Sequence, residues 1–392
     1  MSRRTVQLGN RIILFSPDDP VPSVNRIQAV MKVRVTDELT GTAPDSRITL
    51  EVRERGFLPR LGSDGFGGLI GIPQQFFQAV QSPNFPVHLT ISAERYLSRE
   101  LEQNIPKGPN FPLTFTPPEI DVSLHRQPVF IAGRTGRLNN NASTPLAGAQ
   151  ISVTGIWRTP PPANVVVAPD PPNLVALQPP LYVDRAALTQ SLAPRDLPPV
   201  TSNDKALMDD VAASANPIRL SNRLGLAVGN ILLIDAEQPD LAEFIAIKSL
   251  PTTAPADQPT AVTLDHPLIF SHRREAVVRQ VNPQAPGASR NITVDALAGD
   301  SCLFLSALNG LSGAAAVEIT GPPGPPDEYH KLTQFTVTSD ADGYYRFPPL
   351  SRVAQLEIHA EKIIGAQTFQ ATTTFRPDYQ QRDNRLDFML AA

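Results

Sequence analysis

An all-β protein is what this sequence predicts, on three grounds. Its 392 residues include 41 prolines, and because each lacks a backbone donor and breaks helix interiors, long helices are not expected to dominate. Short runs of alternating apolar and polar residues recur along the chain, which is the period of a half-buried antiparallel strand. Turns built on Asp-Gly separate several of them. A composition that is 41 % hydrophobic and 18 % charged has enough apolar surface for packed cores. The length exceeds what one core fills, so more than one domain is expected.

The first strands come early. Gln28–Thr36 alternates around Val30, Val33 and Val35, Arg47–Arg53 puts Ile48, Leu50 and Val52 on one face, and Val87–Ala93 does the same with Val87, Leu89 and Ile91. They predict an antiparallel sandwich over residues 1–127. Near the other end, Gln334–Ser339 reads as a strand, Asp340–Gly343 as a turn and Tyr344–Phe347 as the return strand, with Gln355–Ala360 and Arg385–Leu390 to follow. Asp bonds its own following backbone and Gly tolerates positive φ, which suits both to that turn. Leu89–Glu94 matches Leu356–Glu361, and each lies after an Asp-Gly-aromatic turn, Asp64–Phe66 and Asp342–Tyr344. The sandwiches at the two ends are therefore expected to be related.

Between them the chain changes character. Thr159–Pro199 holds 11 of the 41 prolines, so residues 159–202 are predicted to form a stiff proline-rich arm. Residues 203–332 are predicted to form one or more small inserted β modules. Within them Leu220–Leu226 matches Leu305–Leu311, and Gly225 and Gly310, Ile234 and Ile319, and Glu243 and Glu328 are equally spaced, the mark of a duplicated unit. Gly321–Pro326 gives only two Gly-X-Y triplets and reads as a rigid loop.

Two resemblances can be named from these segments. Val129–Gly136, Thr144–Val153, Asp340–Phe347 and Leu356–Ala360 together resemble a carboxypeptidase regulatory-like domain, whose fold is a transthyretin-like β-sandwich. Residues 128–158 plus 333–392 would make up that domain, split by the insertion after Trp157. The N-terminal region, with Asp37–Gly41 and Asp64–Phe66, resembles the same family more faintly, so two transthyretin-like sandwiches are expected. Leu226–Asp235, Glu243–Ile247 and Val262–Leu268 resemble a small β module of phage-tail and contractile-injection-system components. The resemblance implies a non-catalytic structural or assembly subunit of a phage-tail-like particle, such as an extracellular contractile injection system. A prokaryotic surface or carbohydrate-binding protein is the alternative, with Trp157, Tyr344 and Tyr345 as the aromatics that a glycan face would use.

The residues that could do chemistry are few. Cys302 is the one cysteine and lies in an apolar run, which predicts a buried thiol and excludes an intrachain disulfide. His272 and Glu275 have a zinc-carboxypeptidase spacing, but zinc needs a third ligand and His330 and His359 have no supporting motif. Asp340 and Asp342 could begin a calcium loop, although the twelfth position falls on Ser351 instead of a glutamate; a turn role is expected. The predicted protein is no enzyme and has no cofactor, metal or catalytic residue. With 34 basic and 38 acidic side chains and no basic run, a nucleic-acid partner is not expected. No signal segment or apolar span is read, so the expectation is cytoplasmic assembly without membrane insertion, with release as part of an extracellular particle left open. Its partners would be other subunits, including copies of itself.

Overall fold

The computed structural model describes residues 4–8, 11–15, 27–79, 82–108, 115–139, 142–158, 165–166, 173–201, 204–251, 255–311, 316–320, 327–333 and 335–391. The molecule is all-β: strands account for its regular structure, and Pro73–Ala79 is the one α-helix among the described residues. Gln334 and the Gly321–Pro326 loop lie outside the described residues. The chain divides into two compact units, one made of residues 1–35, 48–91 and 100–122, the other of residues 36–47, 92–99 and 123–392.

In the first unit, Leu58–Leu61, Phe66–Gly71, Gln28–Asp37 and Glu119–Leu124 form one sheet in that order, and Ile48–Val52, Asn84–Ala93 and Arg99–Pro106 form another. Alternation decides which side chains go inside: Val87, Leu89 and Ile91 are buried, as are Leu50 and Leu69. The strand Gln28–Asp37 departs from strict alternation because its register against Phe66–Gly71 shifts between Ala29 and Met31. The extra residue of this bulge, Val30, lets Val30 and Met31 both be buried before Val33 and Val35 resume the two-residue period.

The domain boundary expected at residue 127 does not hold, because short segments from within 1–127 belong to the second unit. Polar side chains fix them there. Arg126 Nε donates to Asp37 at 2.7 Å, the Tyr96 hydroxyl donates to the same carboxylate at 2.7 Å, and Arg352 lies 3.0 Å from Glu38 and 3.1 Å from Asp300. Buried charges that share partners in this way hold the backbone segments that carry them.

The second unit contains a sandwich and two closed sheets. In the sandwich, Phe130–Asn139 pairs antiparallel with Ala142–Pro145 and Tyr344–Arg346, and parallel with Asp383–Arg385 and Phe388–Leu390. The facing sheet runs Val165–Val166, Gln150–Trp157, Gln355–Ile364, Gln367–Phe375, with Thr336–Thr338 also on Gln150–Trp157. Ile131, Ile151, Val153, Tyr345, Phe347, Leu356 and Ile358 fill the space between them. The Asp340–Gly343 turn forms as its sequence requires: Asp340 Oδ1 accepts from the N–H of Asp342 at 2.9 Å and of Tyr344 at 2.8 Å.

The inserted region is two six-stranded sheets with the same strand order. One runs Lys205–Ala206, Val277–Val281, Ile231–Ile234, Glu243–Ser249, Thr260–Leu264, Ile218–Leu220; the other runs Arg290–Asn291, Ser191–Arg195, Ala316–Thr320, Glu328–Thr333, Leu174–Gln178, Cys302–Phe304. A bridge between Leu207 and Leu220 joins the ends of the first, and one between Ile292 and Leu305 joins the ends of the second, so both close into barrels. Leu220, Leu232, Ile234, Ile247 and Val262 are among the core of the first, and Leu177, Leu192, Leu303, Val317 and Ile319 among that of the second.

This arrangement corrects the arm expected over residues 159–202. Leu174–Gln178 and Ser191–Arg195 are strands of the second barrel, and Leu174 to Leu177 are all buried. Proline is tolerated there where only its carbonyl is needed: the N–H of Gly287 donates to Pro194 O at 2.9 Å. In sequence, two tandem copies each run from the fifth and sixth strands to the first four. In space, Leu174–Arg195 completes the barrel of Arg290–Thr333, while Lys205–Val281 closes on itself between them.

Gly343 supplies a test of the sandwich. Its φ is +75°, and a Cβ built there would lie 2.4 Å from the carbonyl oxygen of Thr135, which is backbone and cannot step aside. Gly343→Ala is expected to destabilise the second unit by roughly 1–3 kcal/mol in urea unfolding. A variant as stable as the parent would show that the turn does not need this conformation.

Candidate functional site

The titratable residues of the inserted barrels converge on two glutamates. Glu243 opens the strand Glu243–Ser249 and Glu328 opens Glu328–Thr333, the equivalent strand of the other barrel. Both are buried. Glu243 accepts from the N–H groups of Ile269 at 2.9 Å and Phe270 at 2.7 Å and from the Tyr182 hydroxyl at 2.8 Å, and lies 3.0 Å from His272 Nε2. Glu328 accepts from the N–H groups of Tyr182 at 3.3 Å and Val183 at 2.8 Å, and lies 2.9 Å from His330 Nε2 and 3.1 Å from Arg185 Nη2.

The likeness of the two sites follows from local sequence. Pro180-Leu181-Tyr182-Val183-Asp184-Arg185 aligns with Pro267-Leu268-Ile269-Phe270-Ser271-His272. Each segment leaves its strand, presents two successive N–H groups to a carboxylate and then turns a cation inward. Tyr182 serves both sites: its N–H goes to Glu328 and its hydroxyl to Glu243. Its ring stacks on His266 at 5.1 Å and His330 at 6.0 Å between centroids. One residue therefore connects the two barrels.

The electrostatics follow from the geometry. Burial alone would lower the pKa of His272, but the hydrogen bonds and charges of Glu243 and Asp235 outweigh it and hold the pKa above its ordinary value. Burial alone would raise the pKa of Glu328, and the hydrogen bond from His330 with the charge of Arg185 brings it below the usual range. Burial, followed by the Glu243 charge, pushes the Tyr182 phenol far up. Such buried carboxylates with several donors each hold strands in register.

Several residues singled out in the sequence are accounted for here. His272 and Glu275 do not come together: His272 is buried against Glu243 and Asp235 at 3.0 and 3.2 Å, while Glu275 is exposed at a φ of 70°. Cys302 is buried, and burial pushes its thiol up to about 12. Asp340 is engaged in the turn, and Asp342 is exposed beside it. Tyr344 is 40 % exposed, whereas Tyr345 is turned into the sandwich core. The three aromatics named for a glycan face thus do not form one surface.

Tyr182 and Arg185 were hidden from sequence reasoning because they sit in the proline-rich stretch. The aligned Pro-Leu pairs at Pro180 and Pro267 are the signal that could have found them. The second barrel and the sandwich also border a 460 Å³ cleft lined by Lys331, Arg346 and Asp240, in which Arg346 pairs with Asp240 at 3.4 Å.

No protein family matches the chain by sequence, and no curated protein matches it. Two crystal structures of the major pilin subunit of Bacillus cereus, one of them of a variant, align over 92 % of this chain and 98 to 99 % of theirs. They are 8 % identical to it with a TM-score of 0.21, a likeness too slight to carry an argument.

Two outcomes are expected. Iodoacetamide should leave Cys302 unmodified in the native protein and label it only in denaturant; rapid native labelling would contradict its burial. Because the folded-state pKa of His272 lies above 6.5, the stabilisation it gives is complete below that value and is lost as the pH rises through the raised one. Urea midpoints should therefore fall as the pH is raised above about 6.5 in the parent, and less in His272→Gln. An equal fall in the variant would remove His272 from that role.

Proposed function

We propose that this chain is a non-catalytic structural subunit that acts by β-sheet contacts within a larger assembly, of which a phage-tail-like particle is the finer reading. The observation that carries this reading is the hairpin Gln355–Phe375 of the sandwich. Its outer strand, Gln367–Phe375, is bonded along one side to Gln355–Ile364 and on the other meets the bridge of Gln370 to Ala391. At its tip Ile363 is 61 % and Ile364 39 % exposed. Strand edges and exposed apolar tips are what chains use to join one another.

The polar groups support the same reading. Glu243, Glu328 and their cations are spent on internal bonds, which suits a rigid building block. The phage-tail-like assignment rests on the resemblance of Leu226–Leu268 to modules of such particles, and from it follow assembly in the cytoplasm and partners that include copies of this chain.

Two experiments test this. Electron microscopy of complexes purified with the tagged chain from its native cells should show rings, tubes or fibres; a monomer that binds glycans and nothing larger would sink the proposal. Ile363→Asp with Ile364→Asp should leave the melting temperature within a few degrees, because both side chains are at the surface. The same variant should reduce co-purification of the assembly by about tenfold or more, if the tip contributes ~1.4 kcal/mol or more to association. Unchanged co-purification would exclude the tip as a contact.

A further inference from the structure

A second feature of the sandwich unit has no part in that reading. A cavity of 220 Å³ lies where the segment around Arg95, the start of the sandwich strand at Phe130 and the loop of the first barrel at Phe270 meet, all within the second unit. Two arginines, Arg95 and Arg382, line it, and none of its lining residues is acidic. Neither guanidinium takes part in an ion pair among the described residues.

Three acids on the surrounding segments are already engaged. Asp37 accepts from Arg126 and from Tyr96, each at 2.7 Å, and Asp45 lies 3.2 Å from the same Tyr96 hydroxyl and 3.7 Å from Arg126. Asp378 accepts from the N–H of Gln380 at 2.9 Å and from Gln381 at 3.0 Å. Arg95 and Arg382 thus line the cavity without an ion-pair partner among the described residues, Arg95 half-buried and Arg382 exposed.

The backbone is held in place at both arginines. The N–H of Gln127 donates to the carbonyl of Arg95 at 2.9 Å, and Arg95 has a φ of 67°. The N–H of Phe130 donates to the carbonyl of Arg382 at 2.8 Å, and the Arg382 guanidinium lies 5.6 Å from the Phe130 ring centroid. The remaining walls are mixed: Gln127 and Ser271 are polar, and Val129, Ile269 and three aromatic residues supply the apolar part. Phe130 and Phe270 are buried rings, and the Tyr379 hydroxyl is spent on Val353, donating to its carbonyl and accepting from its N–H, both at 2.9 Å. An arginine fork matches a carboxylate in shape and charge, and an aromatic wall favours an apolar body beside it.

We propose that this cavity binds a carboxylate carried on a small apolar body, with Arg95 and Arg382 on the carboxylate and Phe130, Phe270 and Tyr379 around the rest. At 220 Å³ it is smaller than the roughly 300–1,000 Å³ of drug-sized sites, so a ligand of about benzoate size fits it. The carboxylate can belong to a free organic acid or to an acidic side chain flanked by aromatic ones.

Isothermal titration of the full chain with benzoate, with a short peptide holding aspartate between two phenylalanines, and with inorganic phosphate tests this. Benzoate, the peptide or both should saturate one site and bind more tightly than phosphate. Tighter binding of the peptide assigns the site to a protein segment, and equal or tighter binding of benzoate assigns it to a free acid. Arg95→Met and Arg382→Met should each weaken binding about tenfold, whereas Arg382→Lys, which keeps the charge, should retain part of it. Unchanged melting temperatures would show that both variants are folded. Three results would overturn the proposal: no saturation by benzoate or peptide, phosphate binding as tightly as both, or affinity unaltered when both arginines are replaced.

Discussion

Two strands of the second unit are buried on both faces, and the rest of that unit is organised around them. In Leu174–Gln178 and Cys302–Phe304, the side chains of Val175, Leu177 and Leu303 enter the core of a barrel, while those of Leu174, Ala176, Cys302 and Phe304 enter the core of the sandwich. Antiparallel strands are paired in register here, Val175 opposite Leu303, so a one-residue slip would exchange the two sets of side chains and spoil both cores. A continuous apolar run replaces the usual alternation because no face of these strands meets water. The insertion is therefore not a tethered appendage: barrel and sandwich share a wall.

The glutamate centres extend the same logic to the polar groups. Turns that follow the strands Leu174–Gln178 and Thr260–Leu264 would each bury two backbone N–H groups, and Glu328 and Glu243 accept them. A buried carboxylate needs several donors of its own, and Arg185, His330, His272 and the Tyr182 hydroxyl complete the set. Apolar burial and polar saturation thus select the same strand order twice.

Much of this was legible in the sequence. Alternation located Ile48, Leu50, Val52, Val87, Leu89 and Ile91, and the Asp340–Gly343 turn has the bonds that its residues require. The equal spacing of Gly225 with Gly310 and of Glu243 with Glu328 pointed to a duplicated unit; the two glutamates do open equivalent strands, and the two glycines lie in turns at positive φ. What misled was proline content: it marks Leu174–Arg195 as a spacer, yet proline limits only the donor side of a strand, and this segment uses carbonyls where its prolines fall. Periodicity could not reveal strands buried on both faces, since they have none. Nor could it show that Arg95 and Arg382 line one cavity, because they lie on segments far apart in the chain.

The exchange of strands between the two tandem copies also fixes an order of events during synthesis. Lys205–Val281 contains every strand of its barrel and can close as soon as it has left the ribosome. Leu174–Arg195 cannot, because its partners arrive only with Arg290–Thr333, and at typical elongation rates that takes on the order of ten seconds. Over that interval its apolar strands have no native partner. The self-contained barrel would then stand between the waiting strands and their late partners, so the sandwich closes last, when Tyr344–Leu390 follows.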